Sequence, residues 1–191
     1  RFPGKPMEKI NGVPMIELVY NNVRRNNLLT MTAVATCDKE IFDCINNAGG
    51  LAVMTKSSHD RATDRCAEAL EKIEKNESIE FDFVVMVQGD EPMVNPEMIS
   101  ESLLPLLEDK DINVTNLLGD INTNKEFKDP NCIKVVHDIN FDALYFSRQP
   151  IPSTHINNEA RLGKQVCIIS FKKTFLLDYL KIKESPLEIA E

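Results

Sequence analysis

The chain has 191 residues, 42% of them hydrophobic and 27% charged, with a formal net charge of −8. That length suits one domain and lets it bury about 70% of the surface its unfolded chain would expose. The acidic balance argues against a broad nucleic-acid surface, which needs a basic face, and no stretch approaches the ~18 apolar residues of a membrane helix. A small anionic ligand stays open, because it needs only a few local cations. Cys37, Cys44, Cys66, Cys132 and Cys167 are odd in number and lack a C-x-x-C spacing. Three of them stand in apolar company, so they read as buried reduced thiols of a cytoplasmic protein. No signal peptide is visible.

In chain order, residues 1–13 read as loop, with prolines and glycines among polar spacers. Pro14 suits a first helical turn, and Met15, Ile16, Leu18, Val19 and Val23 follow at helical spacing. The run Met31 to Thr36 is β-prone. Asp38 is placed to cap a helix carrying Ile41, Phe42 and Ile45, which Gly49-Gly50 ends. A short apolar run, Leu51 to Met54, precedes a helical pattern over 63–75. Phe83 to Val87 is the clearest buried strand, an unbroken apolar run closed by a turn. Asn95-Pro96 then opens a helix with Met98, Ile99, Leu103 and Leu106 inward. Strands are expected near 113–118, 133–136, 143–147 and 166–171, with a hairpin turn at Asn140-Phe141-Asp142 and a last helix near 173–182. Strand and helix thus alternate in the first half. The expected fold class is α/β, a mixed, mainly parallel sheet with helices on both faces, in a single domain over 1–191.

Four constellations carry chemistry. Arg1-Phe2-Pro3-Gly4-Lys5-Pro6 sets two cations beside a glycine that lets a backbone approach a ligand, a combination suited to a triphosphate. Gln88-Gly89-Asp90-Glu91-Pro92 follows the best strand, so Asp90 is expected in a ligand crevice, where one Asp plus substrate phosphates holds Mg²⁺. A tight turn explains the same loop without any ligand. His59-Asp60-Arg61-Ala62-Thr63-Asp64-Arg65 opens a helix that Thr63 or Asp64 would cap. Arg61 and Arg65 then add positive charge at a helix N-terminus, while His59 reads as a satisfied or solvated histidine. Finally, Tyr145, Ser147 and Arg148 end an apolar strand, two prolines force an extended exit, and Arg148 suits a bidentate pair with a carboxylate or an ordinary surface position.

The order and spacing of Arg1 to Pro6, Asn11 to Ile16, Met54 to Arg65, Val87 to Pro92, Asn131 to Val136 and Ala143 to Pro152 cover nearly the whole chain. In these segments the chain resembles the 3-deoxy-manno-octulosonate cytidylyltransferases, the CMP-KDO synthetases. The resemblance implies a Rossmann-like fold, a homodimer, and attack of a sugar acid's anomeric hydroxyl on the α-phosphorus of CTP to give CMP-sugar and pyrophosphate. It implies Arg1 and Lys5 on the triphosphate, with Thr63, Asp64, Arg65 and Gln88 around the nucleotide. Asp90 would bind Mg²⁺, and Gln88, Tyr145, Ser147, Arg148 and Glu188 would face the sugar. Arg1, Lys5 and Asp90 form the expected catalytic set.

This chain departs from the family pattern in two places. Arg61-Ala62 stands where the family commonly has Ser-Gly, and Gln165-Val166-Cys167-Ile168-Ile169 stands where it often has a His and a Tyr. The second change points to a related 2-keto sugar acid. A first strand and loop before Arg1, and a segment past Glu191 with a second metal-binding Asp, are also expected from the resemblance. Two other readings stay open: a CMP-sialic-type or other cytidylyltransferase on the same fold, and a truncated, inactive nucleotide-binding module.

Overall fold

A computed structural model describes residues 4–155 and 161–190. The chain forms two compact units, one of residues 1–115 with 167–182 and one of residues 116–166 with 183–191.

The first unit opens with a 3-10 turn, Lys5–Met7, entered from Gly4 at φ 69°. Part of what reads as loop is a small antiparallel hairpin, β1 (Lys9–Ile10) and β2 (Val13–Pro14). Asn11 and Gly12 turn it with φ of 51° and 86°, the two left-handed positions that an Asn-Gly turn supplies. Helix α1 (Met15–Val23) follows directly. Strand β3 (Val34–Thr36) is shorter than its β-prone run. Asp38 caps α2 (Lys39–Asn47) by accepting from the Glu40 amide at 2.8 Å. The helix ends as its glycines suggest. Gly49, at φ 74°, donates to the Asn46 carbonyl, and Gly50 donates to that of Ile45, which together make a Schellman ending.

Strand β4 (Ala52–Met54) lies parallel to β3, with Ala35 opposite Val53. Helix α3 (Ala62–Glu77) starts one residue earlier than its pattern suggests. Strand β5 (Phe83–Val87) and helix α4 (Pro96–Glu108), capped by the Asn95 side chain on the Met98 amide, match the apolar run and its Asn-Pro signal. Helix α6 (Lys173–Tyr179) closes the unit.

Two strands run from one unit into the other, β6 (Val114–Asp120) and the long β9 (Gly163–Lys172). The second unit holds the hairpin of β7 (Lys134–His137) and β8 (Ala143–Ser147), turned at Asn140-Phe141-Asp142 as expected. Two short helices were not legible in the sequence: α5 (Asn124–Lys128), capped by Thr123, and α7 (Pro186–Ala190).

The architecture is α/β. β3–β4 pairs parallel, whereas β5–β9, β7–β8 and β7–β9 all pair antiparallel, so the expected mainly parallel sheet is not shown among the described strands. Apolar runs reveal strands but not their direction, and β9 returns alongside both β5 and β7. The cysteine reading also needs correction. All five thiols are free, but Cys37 is exposed in the turn ahead of α2 and the others are half-buried.

Two apolar clusters hold the first unit. One packs Ile16 and Tyr20 of α1 on Ile45 and Ala52. The other packs Ala67 of α3 and Met86 of β5 on Phe171 and Leu176. Gly50 is required where α2 meets α1, because a Cβ there would lie 2.8 Å from both Ile45 Cγ2 and Tyr20 Cε1. Gly50→Ala is expected to cost about 1–3 kcal/mol through overpacking. Urea unfolding measures it as a lower midpoint at unchanged m-value. An unchanged midpoint would mean that the Tyr20 ring yields freely.

Candidate functional site

The loop after β5 is fixed at both ends. The Gln88 amide donates to the Cys167 carbonyl at 3.2 Å, the Glu91 amide donates back to the Gln88 carbonyl, and Asn22 of α1 donates to the Pro92 carbonyl. The loop therefore leaves β5, a half-buried strand in which only Met86 is buried, and carries Asp90 outward. Lys5 meets it: Nζ donates to Asp90 Oδ2 at 2.7 Å. That hydrogen bond and the nearby charges of Asp90 and Glu91 hold the Lys5 ammonium above its ordinary value of 10.5, so Lys5 is a cation at any working pH. Both side chains are more than a third exposed, so the pair adds little to stability.

A cavity of about 1130 Å³ is lined by Lys5, Arg65, Gln88 and Asp90, by Glu80 and Asp82, and by apolar residues of β3, β5 and α3. It brings together four of the residues singled out in the sequence. Arg1 lies outside the described residues.

The segment before α3 is organised by Glu68 and Arg65. The Glu68 carboxylate accepts from His59 Nε2, from the Lys56 amide at 3.0 Å and from Lys72 Nζ at 2.8 Å. Lys72 first, then the Lys56 amide and His59, pull its carboxyl down from 4.5 to about 2. Arg65 donates to Thr55 Oγ1 at 2.6 Å and to the carbonyls of Lys56 and His59. His59 is thus a satisfied histidine, bound by a carboxylate.

The expected caps are absent. Arg61 is the N-cap residue and makes no side-chain cap, because the earlier start places Thr63 and Asp64 inside the first turn. Asp64 instead pairs with Arg61 at 3.4 Å, and Arg61 also lies 5.6 Å from the centre of the Tyr179 ring. Arg61, standing where the family commonly has Ser, therefore has a local role. The buried Thr63 hydroxyl has no hydrogen-bond partner among the described residues, an unusual state for a buried polar group and one that a ligand atom would relieve. The Glu68–Lys72 pair was missed in the sequence, although its i,i+4 spacing on α3 is a readable signal.

In the second unit, Tyr145 is half-buried, Ser147 is buried and Arg148 is exposed. Tyr145 and Ser147 share one face of β8, opposite Val136 and Lys134. Arg148 Nη1 donates to the Pro130 carbonyl at 3.0 Å. Gln165, on β9, donates to Asn116 at 2.6 Å. Glu188 is exposed in the first turn of α7.

Among the described residues, no group of three or more His, Cys, Asp or Glu is placed to hold a metal ion. Asp90 offers one half-exposed carboxylate. That donor fits Mg²⁺, which is commonly held by one or two carboxylates together with phosphate oxygens and water. No helix among the described residues is long and apolar enough to cross a membrane.

A family model described as cytidylyltransferase matches residues 1–191. The chain is 38% identical to the 3-deoxy-manno-octulosonate cytidylyltransferase of Syntrophus aciditrophicus over 192 residues, covering 100% of this chain and 76% of that one. It is also 38% identical to the enzyme of the same name from Fusobacterium nucleatum, again covering 100% of this chain and 76% of that one. A solved structure of CMP:2-keto-3-deoxy-manno-octonic acid synthetase complexed with CTP superposes with a TM-score of 0.89 at 35% identity, over 100% of this chain and 76% of that chain.

The Glu68 carboxyl is depressed on folding, so it contributes stability that is complete above about pH 4.5 and is lost as pH falls through about 2. In Glu68→Gln the fall in unfolding free energy between those values is expected to be shallower than in the parent. Denaturant titrations at stepped pH measure it, and parallel curves would contradict the charged network.

Proposed function

We propose that this chain, which belongs to the cytidylyltransferase family, transfers CMP from CTP to an acidic 2-keto sugar of the 3-deoxy-manno-octulosonate type, releasing pyrophosphate for cell-surface polysaccharide synthesis. The observation that carries this reading is the Lys5–Asp90 pair in the lining of a cavity that Arg65 and Gln88 also line. The names of its relatives support the substrate pair.

In this reading the sugar's anomeric oxygen bonds to the α-phosphorus as the bond to the β-phosphate breaks, and the hydroxyl proton passes to solvent. The residues position and neutralise charge more than they form bonds. Lys5, with Arg1, holds the triphosphate and meets the charge that develops on it. Thr63, Asp64, Arg65 and Gln88 surround the nucleotide, where the partnerless Thr63 hydroxyl would gain an acceptor or donor. Gln88, Tyr145, Ser147, Arg148 and Glu188 face the sugar acid, with Arg148 suited to its carboxylate. Asp90 holds Mg²⁺, which when bound neutralises phosphate charge.

The reading extends to the fold. The parallel pair β3–β4 fits a mainly parallel, Rossmann-like sheet with helices on both faces. A cytoplasmic homodimer completes the proposal. Exposed Ile139, Phe141 and Leu144 on the β7–β8 hairpin offer an apolar face to a second copy.

Two experiments test the reading. With CTP and Mg²⁺, pyrophosphate release is expected only when a 2-keto sugar acid is added, and aldose 1-phosphates are expected to be inert. Release with an aldose 1-phosphate would overturn the substrate class. Asp90→Asn and Lys5→Met are each expected to lower kcat by about 10²–10³, the scale of losing one electrostatic stabiliser. Rates within about twofold of the parent would remove these residues from the site.

A further inference from the structure

We propose that Lys134 is a positioning residue that fixes the sugar-facing end of β8. The proposal rests on the reading of Ser147 and Arg148 as sugar-acid contacts. Lys134 is fully buried, at 0% exposure, and burying an ammonium is costly unless its donors are satisfied. Its Nζ donates to the main-chain carbonyls of Asp129 at 2.8 Å, Cys132 at 2.6 Å and Arg148 at 2.5 Å. An ammonium has three donors and no acceptor, so these three carbonyls use all of them.

The partners define the role. Two belong to the loop between α5 and β7, and the third is the residue directly after β8. Lys134 also stands opposite Ser147 in the β7–β8 ladder. The Arg148 guanidinium returns to the same loop through the Pro130 carbonyl, and Ser147 Oγ accepts from the Gln149 amide at 3.0 Å. Two cations thus tie the loop to the strand end, one through main chain and one through side chain. The Arg148 backbone is pinned by its own carbonyl, so the origin of its side chain is fixed without Lys134 touching any substrate.

No other side chain does this. Met fills the space but leaves three carbonyls without their donor. Arg spreads its donors over a planar fork instead of converging them on one nitrogen.

The test is a double-mutant cycle in the full chain with Lys134→Met and Arg148→Ala, read as separate KM values for sugar acid and CTP. Lys134→Met is expected to raise the sugar-acid KM about tenfold and to leave the CTP KM within about twofold. Added to Arg148→Ala, it is expected to raise the sugar-acid KM no further, because both changes remove one interaction. Equal rises in both KM values, additive effects or no effect would each reduce Lys134 to a packing residue and overturn the proposal. If Arg148→Ala itself leaves the sugar-acid KM unchanged, the sugar-contact reading of Arg148 fails by itself. Hydrogen exchange then decides Lys134 separately. Faster exchange at the 147–149 amides alone in Lys134→Met supports its positioning of that end, and exchange unchanged there or faster throughout the chain overturns it.

Discussion

Lys5 and Asp90 meet at 2.7 Å although 85 residues separate them in the chain. The rest of the candidate site depends on that meeting. It requires Gly4 to enter the 3-10 turn from the left-handed region, which sets Lys5 at the first position of that turn. It also requires β5 to deliver Asp90 on a loop that Cys167 and Asn22 hold at its two ends. An ion pair this exposed contributes on the order of 0–1 kcal/mol to folding. In the proposed reading its worth is functional: it keeps a cation beside a carboxylate in the cavity lining, for a ligand that brings both negative charge and a metal.

A second polar centre holds the segment ahead of α3. Glu68 gathers His59, Lys56 and Lys72, and Arg65 gathers Thr55 and two carbonyls. These contacts tie down the start of α3, where the Thr63 hydroxyl is buried and has no hydrogen-bond partner among the described residues. A chain of net charge −8 thus places cations locally without a basic face. That is the arrangement expected for one small, highly charged ligand in preference to a polymer.

Much of the fold was legible because its signals are local. The apolar run Phe83 to Val87, the Asp38 and Asn95 caps and the Gly49-Gly50 ending each act within a few residues, and each appears as read. Strand direction was not legible, since β9 pairs antiparallel with β5 and β7 only through contacts distant in sequence. The start of α3 was misjudged because Thr63 and Asp64 look like caps, whereas Asp64 pairs with Arg61, which also lies over the Tyr179 ring. Lys5, Arg65, Gln88 and Asp90 were readable from residue type and order, and they do line one cavity. Lys134 was passed over inside the apolar run Ile133 to Val136. A lysine there implies buried acceptors, but which carbonyls they are is decided by the loop and by β8 together.

The most direct measurement is a crystal structure of the chain with CTP and Mg²⁺. The account expects triphosphate oxygens on Lys5, the Lys5–Asp90 contact opened or shared, and Asp90 turned to the metal. A triphosphate bound elsewhere, with the Lys5–Asp90 pair unchanged, would contradict it.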